Sequence, residues 1–273
     1  MLPHHHLYEA AWGAAGLAWG LCGALALRRR TAGAATWPRL VLLVAGAIAA
    51  TFLGARIHFV VLAPDLLHTL GWRALVLPLP EGAGLRLTGG LLAGLAVVTL
   101  VGPPATGYRL GRAAIADVLV PAVGVAVAIG RLGCLADGCC FGTTCATPWC
   151  MRFPAGSPAW WNHVAQGLVG TDAPASQSVH PVQLYLGVAA LLSSATSAAT
   201  FGPGRTPDGA RALAFVALLS LLRAMIEPFR EARFGAGVPN EITLDLAIAC
   251  GALSLLAWRL RAQRAAERLS SVS

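Results

Sequence analysis

Seven runs of about 20 apolar residues constrain this chain more than any other feature of its sequence. They cover 10–27, 40–62, 87–108, 113–130, 181–203, 212–228 and 242–258. About 20 predominantly apolar residues cross a bilayer as one α-helix, and in lipid only helices and closed barrels satisfy their own backbone polar groups. The ionisable residues inside the runs are few enough to name: Arg56, His58, Asp117, Arg223, Glu227 and Asp245. The chain therefore reads as an all-α integral membrane protein of about seven transmembrane helices, forming one domain over residues 1–273. Charged residues make up 12% of the chain, against about 25% in soluble domains. A disordered chain is excluded, because 56% of the residues are hydrophobic. The 31 glycines suit close helix packing in lipid.

Orientation follows from arginine. All 20 basic side chains are Arg, and the formal net charge is +8. A signal peptide carries its positive charge before the apolar stretch. Here Arg28, Arg29 and Arg30 follow it. The expectation is a retained first helix with the N-terminus outside, preceded by a solvated tail holding His4, His5 and His6. With that start, the inner segments hold 12 Arg against three acids, Asp117, Asp208 and Glu267. This is the positive-inside pattern for an N-out, C-in topology. The positive charge is then a topology signal, and a nucleic-acid partner is not expected. The segment 131–180 becomes a long, Cys-rich connection on the outer side; connections of that length are functional or disordered.

Ionisable groups within a span mark functional sites by default. Arg56 lies six residues before the end of an outward-running helix, about 9 Å below the outer surface at 1.5 Å per residue. Arg131 follows the fourth run, and Arg223, Glu227 and Arg230 fall at i, i+4 and i+7 on one face of the sixth. Four Arg thus point to the outer leaflet, where planar guanidinium forks suit phosphate or carboxylate. An anionic lipid head group is the ligand this favours. The competing reading is that Glu227 and Asp117 neutralise structural Arg, or that the Arg side chains snorkel.

Five of the seven Cys fall within 17 residues: Cys134, Cys139, Cys140, Cys145 and Cys150. The spacing lacks a C-x2-C pair, so neither a zinc site nor a redox dithiol of that type is expected. No metal and no cofactor are expected. An outer location permits a disulfide that includes Cys145 or Cys150, with connectivity open. For Cys134, Cys139 and Cys140 a structural role in packing or a disulfide comes first, catalytic thiol chemistry second and metal binding last. Cys22 and Cys250 are expected in the helix core. Gly89-Gly90 opens the third run, for close packing or for a backbone surface against a ligand. His180-Pro181 opens the fifth, followed by Gln183 and Tyr185.

These residues resemble, in chain order, the motifs of the prolipoprotein diacylglyceryl transferase family. Phe52-Leu-Gly-Ala-Arg-Ile57 is similar to its Gly-Gly-Arg segment, and Gly89-Gly90-Leu91 to its His-Gly-Gly-Leu motif. Gly130-Arg-Leu-Gly133 through Gly142 resembles the signature Gly-Arg-x-Gly-Asn-Phe-x-Asn-x-Glu. His180-Pro-Val-Gln-Leu-Tyr185 resembles His-Pro-Ser-Gln-Leu-Tyr, and Arg223-Ala-Met-Ile-Glu-Pro-Phe-Arg230 resembles Arg-x-x-x-Glu-Phe-Phe-Arg. The resemblance implies a multi-pass enzyme of the bacterial inner membrane. It would move the diacylglyceryl group of phosphatidylglycerol to the lipobox Cys of a prolipoprotein signal peptide, releasing glycerol-1-phosphate. It implies catalytic roles for Arg131, Arg223 and His180. It also implies substrate binding by Arg56, Gly89, Gly90, Gly133, Gln183, Tyr185, Glu227 and Arg230, with Glu227 orienting Arg223.

The chain departs from the family where it matters. Thr88 stands in place of the motif His, Cys134 and Cys139 in place of the signature Asn and Glu, Asp137 in place of its second Asn, and Leu186 in place of a Glu. Thr is no base near neutral pH, which leaves His180 and His58 as candidates. Alternatively, the clustered Arg could lower the pKa of the substrate thiol directly. Two other functions stay open on these substitutions. One is a paralog that binds lipid or transfers a lipid group to another acceptor. The other is a membrane thiol oxidoreductase built on Cys139 and Cys140.

Overall fold

The computed structural model describes residues 5–31, 36–61, 68–75, 87–106, 111–202, 204–231 and 238–271. Among them the chain forms α1 (His5–Arg30), α2 (Trp37–Val61), α3 (Leu87–Thr106), α4 (Arg112–Asp137), α5 (Pro158–Ala165), α6 (Val182–Thr200), α7 (Ala210–Ile226) and α8 (Val238–Ser270). Six spans within α1, α2, α4, α6, α7 and α8 are long and apolar enough to cross a membrane. The remaining apolar run, 87–108, contains the 20-residue helix α3, which is not among these six. The architecture is that of a multi-pass all-α membrane protein. The tail residue His4 lies outside the described residues.

Two compact units emerge, one of residues 20–119 and one of 1–19 with 120–273. In the first, α2 and α3 pack backbone against backbone. A Cβ on Gly54 would strike Ala93 and the Gly89 carbonyl, and one on Gly90 would lie 2.8 Å from the Thr51 carbonyl oxygen. Small residues let lipid-embedded helices approach this closely. Gly54→Val is therefore expected to cost about 1–3 kcal/mol, because the obstructing atoms include backbone. Thermal melting in detergent reads this out, and wild-type melting would refute the tight contact.

In the second unit, α4, α6 and α7 share a core of Val120, Val127, Ala189, Ala190, Phe215 and Leu219. Gly124 lets α6 approach α4 at Ser194, whose hydroxyl donates to the Val120 carbonyl at 3.2 Å. The N-terminal half of α1 lies along α4, with Trp12 over Gly130 and Ala11 over Gly133. Cys22 and Cys250 face outward from their helices instead of joining a core. In lipid an exposed thiol is simply a small apolar group.

Two helix ends differ from the sequence expectation. Helix α7 stops at Ile226, and Glu227–Phe229 form a 3-10 turn. Pro228 has no N–H with which to continue the helix. Arg230 consequently leaves the helical face it was expected to share with Arg223. Helix α8 runs on to Ser270, well past the apolar run, because residues 259–270 contain neither Gly nor Pro and are mostly strong helix formers.

The long connection from α4 to α6 is folded. Cys145 and Cys150 form a disulfide. Phe141, Phe153, Ala159 and Val179 make a small core beneath it. Isolated antiparallel bridges join Gly142 to Arg230, Val179 to Thr144 and Met151, and Pro154 to Ala175. Ser157 caps α5 by accepting from the Trp160 N–H at 3.2 Å, with Pro158 opening the helix.

His163 sits in this connection, 1% exposed, with Nδ1 accepting from the Gln177 N–H at 3.1 Å. Burial lowers its pKa below the usual value, and the Glu231 charge opposes that shift. A depressed His pKa means that the unfolded chain takes up the proton first as pH falls. The stability contributed by neutral His163 is thus complete above the unfolded value of about 6.5 and is lost progressively as pH falls from there toward the depressed folded value. Hydrogen exchange of residues 141–180, corrected for intrinsic rates, is expected to accelerate between about pH 7 and pH 5. His163→Asn should flatten that dependence; an unchanged slope would discard the assignment.

Candidate functional site

The C-terminal turns of α4 carry Arg131 and Cys134, three residues apart and so about one helical turn, just before the chain reverses. Arg131 is 9% exposed, and its buried Nε has no hydrogen-bond partner among the described residues. An unpaired buried donor is costly and marks a group awaiting an acceptor. Gln183, near the start of α6, is fully buried. Its Nε2 donates to the Cys139 carbonyl at 2.7 Å, while its Oε1 is likewise unpartnered. Gly187, one turn on, leaves room for α6 to lie against Arg131.

The chain reverses through Gly138 and Cys140, both at positive φ (+75° and +56°). A non-Gly residue there is uncommon and signals local constraint. The reversal brings the sulfurs of Cys134, Cys139 and Cys140 within 4.8 Å of one another. Hydrogen bonds from the other two thiols, aided by the charges of Arg131 and Arg230, lower the Cys140 pKa well below the usual thiol range despite burial. Hydrogen bonding to its neighbours, together with burial, raises the Cys139 pKa.

After the reversal, Gly142 passes between two segments. Its N–H donates to the His180 carbonyl at 2.9 Å, and a Cβ there would strike the Phe229 carbonyl, His180 and Val182. Only glycine fits that passage. His180, Tyr185 and Phe229 form an aromatic group, with His180 and Phe229 centroids 5.0 Å apart. The His180 Nδ1 and Tyr185 hydroxyl are 3.2 Å apart. Arg230 donates from Nη1 to both Glu227 carboxylate oxygens at 3.0 Å. Burial works against the Arg230 charge, but the Glu227 carboxylate outweighs it and raises the pKa. Glu227 therefore orients Arg230, whereas the expectation had assigned it to Arg223. Arg223 instead donates from Nε to both oxygens of Asp245 on α8, at 3.2 and 3.3 Å. Asp245 was missed as a site residue. Its signal was present all the same, since it is the one charge in the run 242–258.

The second unit thus collects Arg131, Cys134, Cys139, Cys140, His180, Gln183, Tyr185, Arg223, Glu227 and Arg230, with Gly133 packed on α1. The expected substrate-binding residues Arg56, Gly89 and Gly90 lie in the first unit. There Arg56 donates from Nε to the Ala74 carbonyl at 2.9 Å. The Gly89 N–H, one of the unpaired donors that open α3, donates to His58 Nδ1 at 3.1 Å. His58 Nδ1 thereby accepts one of the orphan N–H groups at the start of α3, as a helix cap does. Gly89 and Gly90 both serve the α2–α3 contact. The side chain of Thr88 lies outside the described residues. Leu186 is buried.

Chemically, the second unit offers a buried guanidinium with a spare donor, a second guanidinium held by one carboxylate, and a polar aromatic wall. Such a set has the chemistry to hold a phosphate-like anion and to stabilise charge developing on it.

Comparison with known proteins agrees with the motifs. The family model described as prolipoprotein diacylglyceryl transferase matches residues 6–258. A phosphatidylglycerol–prolipoprotein diacylglyceryl transferase of Rhodopirellula baltica is 34% identical over 136 residues. That match covers 48% of this chain and 25% of the relative, so the chain spans about a quarter of that protein's length. Proteins of the same name from two strains of Dehalococcoides mccartyi are 28% identical over 194 residues, covering 70% of this chain and 67% of theirs. On the match over residues 6–258, the chain belongs to the prolipoprotein diacylglyceryl transferase family.

Proposed function

We propose that this protein transfers the diacylglyceryl group of phosphatidylglycerol to the lipobox Cys of a prolipoprotein signal peptide in the bacterial inner membrane. The observation that carries the reading is Arg131, a buried guanidinium with an unpartnered donor inside a family-matched signature segment. In this reaction the Cys sulfur forms a C–S bond to the glyceryl carbon and loses its proton. The C–O bond to phosphate breaks, and glycerol-1-phosphate leaves with the electron pair. Negative charge grows on the departing phosphate. Arg131 and Arg230 would meet it, and Arg223, held by Asp245, would contribute a third charge. His180 would take up the thiol proton, with Tyr185 and Gln183 lining the head-group region. The arginine distribution supports an N-out, C-in orientation, which puts the arginines named here on the outer side.

Mass spectrometry of a lipobox peptide incubated with the purified protein and phosphatidylglycerol tests the proposal. A mass gain of one diacylglyceryl group on the Cys is expected. An unmodified peptide, with phosphatidylglycerol bound, would favour the second reading: a paralog that binds or delivers lipid elsewhere. That reading draws its support from Cys134 and Cys139, which stand in place of the signature Asn and Glu.

A further inference from the structure

The proposed transfer chemistry leaves the three clustered thiols unused. We propose that Cys134, Cys139 and Cys140 form a three-thiolate site for one thiophilic metal ion, of the copper(I) class.

Three observations lead there. First, the three sulfurs lie within 4.8 Å of one another, so a single ion between them can reach all three. Second, the convergence is built by the backbone. The Cys139 N–H closes the end of α4 on the Cys134 carbonyl at 3.1 Å, Gly138 turns the chain, and Cys140 holds the left-handed conformation that a side chain rarely adopts. Gln183 then clamps the Cys139 carbonyl at 2.7 Å. Strain of this kind persists only where the surroundings enforce it. Third, the same connection carries a disulfide between Cys145 and Cys150, while Cys134, Cys139 and Cys140 are free thiols. Two thiol chemistries are thus kept apart within 17 residues.

The donor count selects the metal. Thiolate donors favour copper(I), zinc and iron–sulfur clusters over hard cations. Structural zinc takes four protein ligands in a tetrahedron. Among the described residues this group of His, Cys, Asp and Glu donors has three members, all sulfur. Copper(I) has a filled d shell and accepts trigonal thiolate sets. Binding replaces each S–H bond by an S–metal bond, and the protons pass to solvent. The ion stays in its +1 state, so no oxidant or reductant is needed. The site does not depend on the transferase reading, and its test needs no lipid.

The experiment titrates copper(I) into the full-length, reduced protein in detergent micelles without oxygen, against a chromogenic copper(I) chelator. One ion per chain is expected, with a sulfur-to-metal charge-transfer band in the ultraviolet. C145S/C150S should bind as the wild type does. C134S/C139S/C140S should lose the ion. Single Cys139→Ser should weaken binding by more than the roughly 10–100-fold that loss of an outer-shell partner costs. If the triple variant fails to fold, alkylation of the wild type decides: copper(I) should protect these three thiols and leave Cys22 and Cys250 reactive. Three outcomes overturn the proposal. One is equal copper(I) uptake by a folded triple variant. Another is zinc(II) retention without copper(I) retention. The last is a disulfide joining two of the three in protein isolated under thiol-trapping conditions.

Discussion

Arg131→Ala is expected to lower the diacylglyceryl transfer rate by about a hundred- to a thousandfold, the loss seen when one preorganised donor to developing charge is removed. The loss should appear mainly in kcat, because the charge it meets grows as the C–O bond to phosphate breaks. Arg131→Lys should recover little. An ammonium keeps the charge, yet it lacks the planar fork that engages two phosphate oxygens. The same variant should leave thermal stability unchanged or slightly raised. Arg131 Nε has no partner among the described residues, and removing an unpaired buried donor relieves a desolvation cost. A merely structural Arg131 would behave in the opposite way, with Tm falling and the rate following it. Measuring kcat, KM and Tm on one preparation separates the two. A variant that folds and keeps wild-type kcat would eliminate Arg131 from the chemistry.

The helices were legible in the sequence because lipid leaves a backbone few choices: an apolar run of this length has to be a helix. The run 181–203 became Val182–Thr200, and 40–62 became Trp37–Val61. The ion-pair partners were less legible. Arg223 and Asp245 lie 22 residues apart on different helices, and nothing in spacing alone assigns one to the other. Helical periodicity placed Arg230 on the face of Arg223. Pro228 breaks that periodicity by ending α7 at Ile226, and a 3-10 turn then delivers Arg230 to Glu227.

Residues 131–180 show what sequence patterns carry least well. The spacing of Cys134, Cys139 and Cys140 matches no metal motif, since such motifs encode particular turns. Here the turn is set by Gly138 and by a Cys at φ +56°. The small core of Phe141, Phe153, Ala159 and Val179 is assembled from non-periodic positions, so a connection that read as functional or disordered proves to be folded. Glycine was the informative signal at Gly142, where only a missing Cβ allows Phe229 and His180 to close on the chain.

Asp245→Asn carries the largest expected effect on stability. Asp245 of α8 and Arg223 of α7 form an ion pair across the two helices, and their side chains are 6% and 14% exposed. Breaking a buried pair by removing one partner typically costs about 3–5 kcal/mol, because the remaining charge is left uncompensated. The variant should therefore melt many degrees lower or be degraded on expression. Replacing both partners separates pairing from catalysis. Arg223→Met with Asp245→Leu removes both charges at similar volume, and such exchanges are often neutral or stabilising. The double variant should regain most of the stability lost in Asp245→Asn. If Arg223 also meets the departing phosphate, activity stays low after stability returns. If activity returns with it, Arg223 is a structural partner of α8, and the phosphate is left to Arg131 and Arg230.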